Sequence, residues 1–106
     1  MMTDSDMVIA CAQSMGLTVW RRQGSSMLDC TEDGTGRCMF IYNPLTNDMQ
    51  AMALVKKFRL RLNPDGDYWW ACLEYEEFGV RAKDLNRAIV ERVAKMHDAR
   101  AKIPPR

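Results

Sequence analysis

The stretch from Tyr42 to Tyr75 limits the fold more than any other part of this 106-residue chain. It opens with a helix. Thr46 or Asn47 supplies the cap, and if Asn47 does so, Gln50 stands at the reciprocal capping-box position. Ala51, Leu54, Val55 and Phe58 recur at helical spacing, and Lys56 and Lys57 fall in the last turn, where cations suit the helix dipole. FRLRL then alternates strictly, with Phe58, Leu60 and Leu62 on one side and Arg59 and Arg61 on the other, which predicts a strand. Asn63-Pro64-Asp65-Gly66-Asp67 predicts the loop of a hairpin, with Gly66 free to take a positive φ. The returning run, YWWACLEY, sets Trp69, Ala71, Leu73 and Tyr75 against Tyr68, Trp70, Cys72 and Glu74. Both of its faces are largely apolar, so helices are expected on both sides of the sheet.

The flanking sequence supplies the remaining elements. Met7, Val8, Cys11, Ala12 and Met15 form one stripe of a helix from about Asp4 to Met15, capped by Thr3, Asp4 or Ser5 and closed by Gly16. LTVWRR and MLDCT are candidate hairpin partners, and CMFIY is a β-favouring run that Asn43-Pro44 ends. Alternation is poor over 17–41, so that region holds either two strands or one strand with an irregular excursion. Phe78 to Val80 reads as a short edge segment. A long helix begins near Asp84, with Leu85, Ala88, Ile89, Val93 and Met96 inward and Arg87, Glu91, Lys95 and Asp98 outward. Ile103 to Arg106 reads as a disordered tail. The expected architecture is a single α+β domain spanning 1–106. It is a two-layer to three-layer α/β/α sandwich whose mainly antiparallel sheet has three to five strands, with helices on both faces.

Composition narrows the function classes. Apolar residues make up 47% and charged residues 27% of the chain, the mix of an ordinary globular domain. No apolar run approaches the roughly 18 residues a membrane span requires, and the N-terminus is acidic where a signal peptide is basic. A cytoplasmic protein is the expectation, with no membrane partner. Net charge is +1, which argues against a chain built mainly to hold nucleic acid. Six acidic and three basic residues precede residue 51, whereas eight acidic and twelve basic follow from it onward.

No catalytic constellation, cofactor motif or metal-ligand spacing is present in the sequence. Cys11 and Cys72 lie in apolar surroundings and read as buried thiols. Cys30 and Cys38 flank a turn-rich segment and could pair, although a reducing cytoplasm disfavours this. His97 has no partner set for nucleophilic catalysis. Glu74, Glu76 and Glu77 read as a strand end running into solvated charge. Trp69 and Trp70 with Tyr68 could stack bases while Arg59 and Arg61 meet phosphates, but the plainer reading puts one tryptophan in the core. Aromatic and arginine side chains also dominate protein interfaces. Arg59, Arg61, Trp70 and Glu74 are therefore the candidate interaction face.

The run YNPLTNDMQAMALV, from Tyr42 to Val55, resembles the phage ABA sandwich domain family of small phage and prophage proteins. The likeness continues through Trp69 or Trp70 and the alanine- and arginine-bearing helix from Ala82 to Val93. Met52, where an aromatic is common, and Leu45, between the proline and the cap, depart from the family pattern. The resemblance implies an α/β sandwich and a phage or prophage origin, and it carries no activity to any residue. The expected function is that of a non-enzymatic accessory protein binding a host or phage protein. Nucleic-acid binding through the Arg59/Arg61/Trp70 hairpin is the first alternative, and a small-molecule-binding protein or enzyme the second. A homodimer through a sheet edge or the Trp70 face is compatible with any of these.

Overall fold

A computed structural model describes residues 2–21, 28–32, 39–77 and 79–101. The elements run α1 (Asp4–Ser14), β1 (Thr18–Arg21), β2 (Leu28–Thr31), β3 (Phe40–Ile41), α2 (Asp48–Phe58), β4 (Arg61–Asp65), β5 (Tyr68–Cys72), β6 (Val80–Ala82) and α3 (Leu85–Ala101). The fold is α+β with antiparallel strands throughout, as the sequence predicts. It differs in how the strands are arranged: they form two three-stranded meanders, β1-β2-β3 and β4-β5-β6, in place of a single sheet of three to five strands. Among the described residues, 17–41 holds three strands where one or two were expected.

Both short helices begin and end by the same chemistry. Thr3 caps α1 by accepting the Asp6 N–H at 3.1 Å, and Asp6 accepts the Thr3 N–H in return, completing a capping box. Asn47 caps α2 by accepting the Gln50 N–H at 3.0 Å. Gln50, however, does not reach back to Asn47. Its amide donates to the Ile41 carbonyl at 2.9 Å and its oxygen accepts the Asn43 N–H at 2.7 Å, which fastens α2 to the end of β3.

At their C-termini both helices close with a 6→1 hydrogen bond. Leu17 donates to Ala12 across Gly16 (φ 76°), and Leu60 donates to Val55 across Arg59 (φ 53°, ψ 48°). Arg59 is the one non-glycine residue with positive φ among the described residues. This cap displaces the expected strand. Phe58 ends the helix, Arg59 and Leu60 make the turn, and β4 starts only at Arg61. Asn63, Pro64 and Asp65 consequently lie in β4, where an edge position spares Pro64 the loss of a ladder bond. The hairpin turn shrinks to Gly66-Asp67, with Gly66 at φ 60° in the first central position, as a type II′ turn requires.

The main core gathers α1, β2, α2 and α3 around Cys11, Leu54, Ile89, Val90 and Val93, all fully buried. Asp84 opens α3 by accepting the Arg87 N–H at 3.0 Å. α3 packs against α1, α2, β5 and β6, and its Ile89, Val90 and Val93 share the main core with Leu28 and Cys30 of β2. Its contact with the second sheet is a small core of Ala71, Ala82 and Ala88, flanked by Leu62 and Trp69. Cys11, Cys30 and Cys72 are free and buried. Burial pushes the Cys11 thiol up to about 12, and raises Cys30 with help from the Asp29 charge. Cys38, the proposed pairing partner of Cys30, lies outside the described residues, as do Phe78 and the tail from residue 103.

Candidate interaction face

Register decides which side chains of the second sheet share a face. Pairing of Leu62 with Ala71, Trp69 with Ala82 and Ala71 with Val80 turns these residues toward α3. The alternate positions turn outward: Arg61 opposite Cys72, Asn63 opposite Trp70, Asp65 opposite Tyr68, and Arg81 opposite Trp70 on the other side. Arg61, Asn63, Asp65, Tyr68 and Arg81 are exposed, Trp70 is half-buried and only Cys72 is buried. The expectation that helices cover both faces of YWWACLEY is thus not met on this side. The neighbouring strands supply Arg61, Asn63, Asp65 and Arg81 there, and a face carrying those groups gains nothing from leaving water.

Asp65 organises this face. Its carboxylate accepts the Trp70 indole N–H at 3.1 Å and the Arg81 Nε–H at 2.9 Å. The Arg81 guanidinium in turn lies 3.8 Å from the centroid of the Tyr68 ring, a cation–π arrangement. The Trp70 and Arg81 donors hold the Asp65 carboxyl below its ordinary value. Three of the largest outward side chains are therefore fixed before any ligand arrives.

The four residues singled out from sequence separate in the structure. Arg61 and Trp70 share the outward face, and Arg61 also donates to the Glu76 carbonyl. Arg59 sits in the α2 cap and Glu74 in the turn after β5, both exposed and both off the strands. Asp65 and Arg81 were not foreseen. A sequence reading that treats Asp65 as loop cannot place it opposite Tyr68, and Arg81 gains meaning only once β6 is paired with β5.

Other candidates prove structural. Glu76 accepts the Leu73 N–H at 2.7 Å and pairs with the mostly buried Arg92 at 3.1 Å, so it holds the turn onto α3. His97 contacts Gln13 at 3.1 Å across α3 and α1. Among the described residues no three His, Cys, Asp or Glu side chains converge as a metal ion requires. A cleft of about 420 Å³ opens between α1 and the β3–α2 turn, lined by Val8, Leu28, Ile41, Tyr42 and Leu45 with Asp4 at its edge. Asp4 and Asn43 in its lining are already engaged, whereas the buried Tyr42 hydroxyl has no hydrogen-bond partner among the described residues. Asp4 pairs with Arg87 at 3.0 Å, and Asn43 bonds Leu45 and Gln50. The Tyr42 hydroxyl is buried away from solvent, and desolvation, then the nearby Cys11 and Cys30, raise its pKa. Among the described residues no helix is long and apolar enough to cross a membrane.

No family model, no curated protein and no solved structure matches this chain.

Proposed function

We propose that this chain is a non-enzymatic accessory protein that acts by seating a host or phage protein on the outward face of β4-β5-β6. The observation that carries this reading is the Asp65-centred cluster. Trp, Tyr and Arg are the residue types that dominate binding energy at protein interfaces. Here one carboxylate holds Trp70 and Arg81, and Arg81 in turn lies over Tyr68, which lowers the entropy lost on binding. The phage or prophage origin rests on the resemblance of the Tyr42–Val55 run alone.

A nucleic-acid reading uses the same face and is disfavoured by its charge. Arg81 is neutralised by Asp65 in the middle of the surface, so a phosphate chain crossing it meets a carboxylate. Quantitative affinity capture from a bacterial lysate separates the readings, with the wild type compared against the double variant Tyr68→Ser, Arg61→Glu. Both positions are exposed, and circular dichroism checks that the variant is folded. The expected result is a discrete set of proteins held by the wild type and lost about tenfold from the variant. Proteins held equally by both, or nucleic acid that copurifies and dissociates steeply with salt, would overturn the proposal.

A further inference from the structure

The second helix carries a surface that its own fold leaves uncovered. α2 buries Ala51 and Leu54. On its opposite side Met49, Met52 and Lys56 follow one another at i, i+3 and i+7, which lines them along one stripe. Met49 is 84% and Met52 42% exposed, and among the described residues Lys56 forms no ion pair. Beside Met52 a cleft of about 370 Å³ opens between α2 and α3, with the buried Ala51 and Ile89 in its wall and the exposed Asp48 and Asp84 at its edge.

Charge is distributed unevenly along this stripe. Asp48 and Asp84 stand at its N-terminal end, whereas Lys56, Lys57 and Arg59 stand at its C-terminal end, all of them exposed. A uniformly acidic or basic partner, whether peptide, nucleic acid or lipid surface, would be repelled at one end or the other. A dipolar occupant is required, and the chain itself is one. In an antiparallel pairing with a two-fold axis at Met52, position 48 of each copy lies opposite position 56 of the other. Asp48 then faces Lys56 twice, Met52 meets Met52, and the two helix dipoles oppose. Methionine suits such a contact because its flexible thioether fits an irregular partner.

We propose that α2 is the contact of a symmetric homodimer formed by this stripe, separate from the face assigned to partner binding. A helix of 11 residues is about 16 Å long and covers less than the roughly 1,200 Å² of a standard stable interface. The dimer is therefore weak and concentration-dependent.

Sedimentation equilibrium of the full chain between about 10 μM and about 1 mM tests it. The average mass should rise from the 12.2 kDa of one chain toward twice that value. Met52→Glu should hold it at the monomer mass throughout. Asp48→Lys and Lys56→Glu should each weaken association about tenfold, because each sets like charges together. The double variant Asp48→Lys, Lys56→Glu should restore it, which a merely destabilised helix would not do. A wild type still monomeric at the highest concentration overturns the proposal. So does a Met52→Glu variant that dimerises like wild type, or a double variant no better than its two parents.

Discussion

Residues 3–42 and residues 47–82 pass through the same order of elements, yet they bury different things. Each begins with an 11-residue helix capped by a polar side chain, turns through a 6→1 hydrogen bond, and continues into a three-stranded antiparallel meander. In the first half the central strand β2 is buried at all four positions, and Leu28 and Cys30 belong to the main core. In the second half the central strand β5 rests on alanines and turns Tyr68 and Trp70 outward. The first meander is held by volume; the second is held by close approach and by a polar cluster. That difference explains why the second sheet can carry Tyr68 and Trp70 on its outer side. A sheet whose inner side needs only alanines to meet α3 is free to spend its large side chains on the outside.

The sharpest way to break the second sheet is to add one carbon. A Cβ on Gly79 would lie 1.9 Å from the Ala71 carbonyl oxygen and 2.8 Å from the Cys72 Cα, both backbone atoms. Neither can move without parting β6 from β5. Gly79→Ala is expected to cost at least about 3 kcal/mol by urea unfolding. A cost under about 1 kcal/mol would show that the two strands are not packed this closely.

Removing volume should reverse the ranking of the halves. Leu28 is buried in the main core, so Leu28→Ala is expected to cost about 3 kcal/mol. Leu62, half-buried beside the alanines, should lose only about 1 kcal/mol on the same change. Equal losses at the two sites would mean that both meanders depend on volume to the same degree.

The two helix-to-strand turns offer a smaller and oppositely signed pair of effects. At Gly16 nothing lies within 4 Å of an added Cβ, so only the positive φ resists substitution. Gly16→Ala should cost about 1 kcal/mol, the left-handed penalty less the entropy gained by restricting the unfolded chain. Arg59 already bears that penalty. Arg59→Gly should therefore stabilise the protein by about 0.5 kcal/mol, the penalty relieved less the added freedom of glycine when unfolded. Thermal unfolding of both variants checks the signs.

These turns also mark where the sequence stops being legible. Gly16 announces its cap, because glycine after the last apolar residue of a helix is the usual left-handed position. Arg59 announces nothing. Phe58, Leu60 and Leu62 alternate with arginines, and that pattern suits a strand as well as it suits a cap running into one. The choice is made by burial of Leu60 in the main core, a tertiary contact. Asn63-Pro64-Asp65 hides its strand for a related reason, since turn-forming residues at a sheet edge pair normally when the neighbouring strand fixes the register. Helix stripes and the positive φ of Gly66 were readable, and the caps were narrowed to Thr3, Asp4 or Ser5 and to Thr46 or Asn47, because each depends on residues within one or two turns of chain. The Asp65 cluster was not, because it joins three strands whose register had to be known first.

The outward face has a pH signature on the acid side, whereas the raised Cys11, Cys30 and Tyr42 of the first half act on the alkaline side. Hydrogen bonds from Trp70 and Arg81 hold the folded Asp65 carboxyl below its unfolded value. A depressed folded pKa means that the stabilising contribution is complete above the unfolded pKa, near about 3.9, and is lost as pH falls through the folded one. At neutral pH the cluster should be intact. On acidification the Trp70 indole N–H resonance should shift toward its free position, while Tyr68 loses the arginine above its ring. Asp65→Asn keeps the shape but not the charge, so the unfolding midpoints of wild type and variant should differ at neutral pH and converge in strong acid. The Asp65 side chain is about half exposed and screened by solvent, so this is the smallest effect of the series. Midpoints that ran parallel at every pH would show that Trp70 and Arg81 are placed by strand pairing alone, with Asp65 a bystander on a face the backbone had already built.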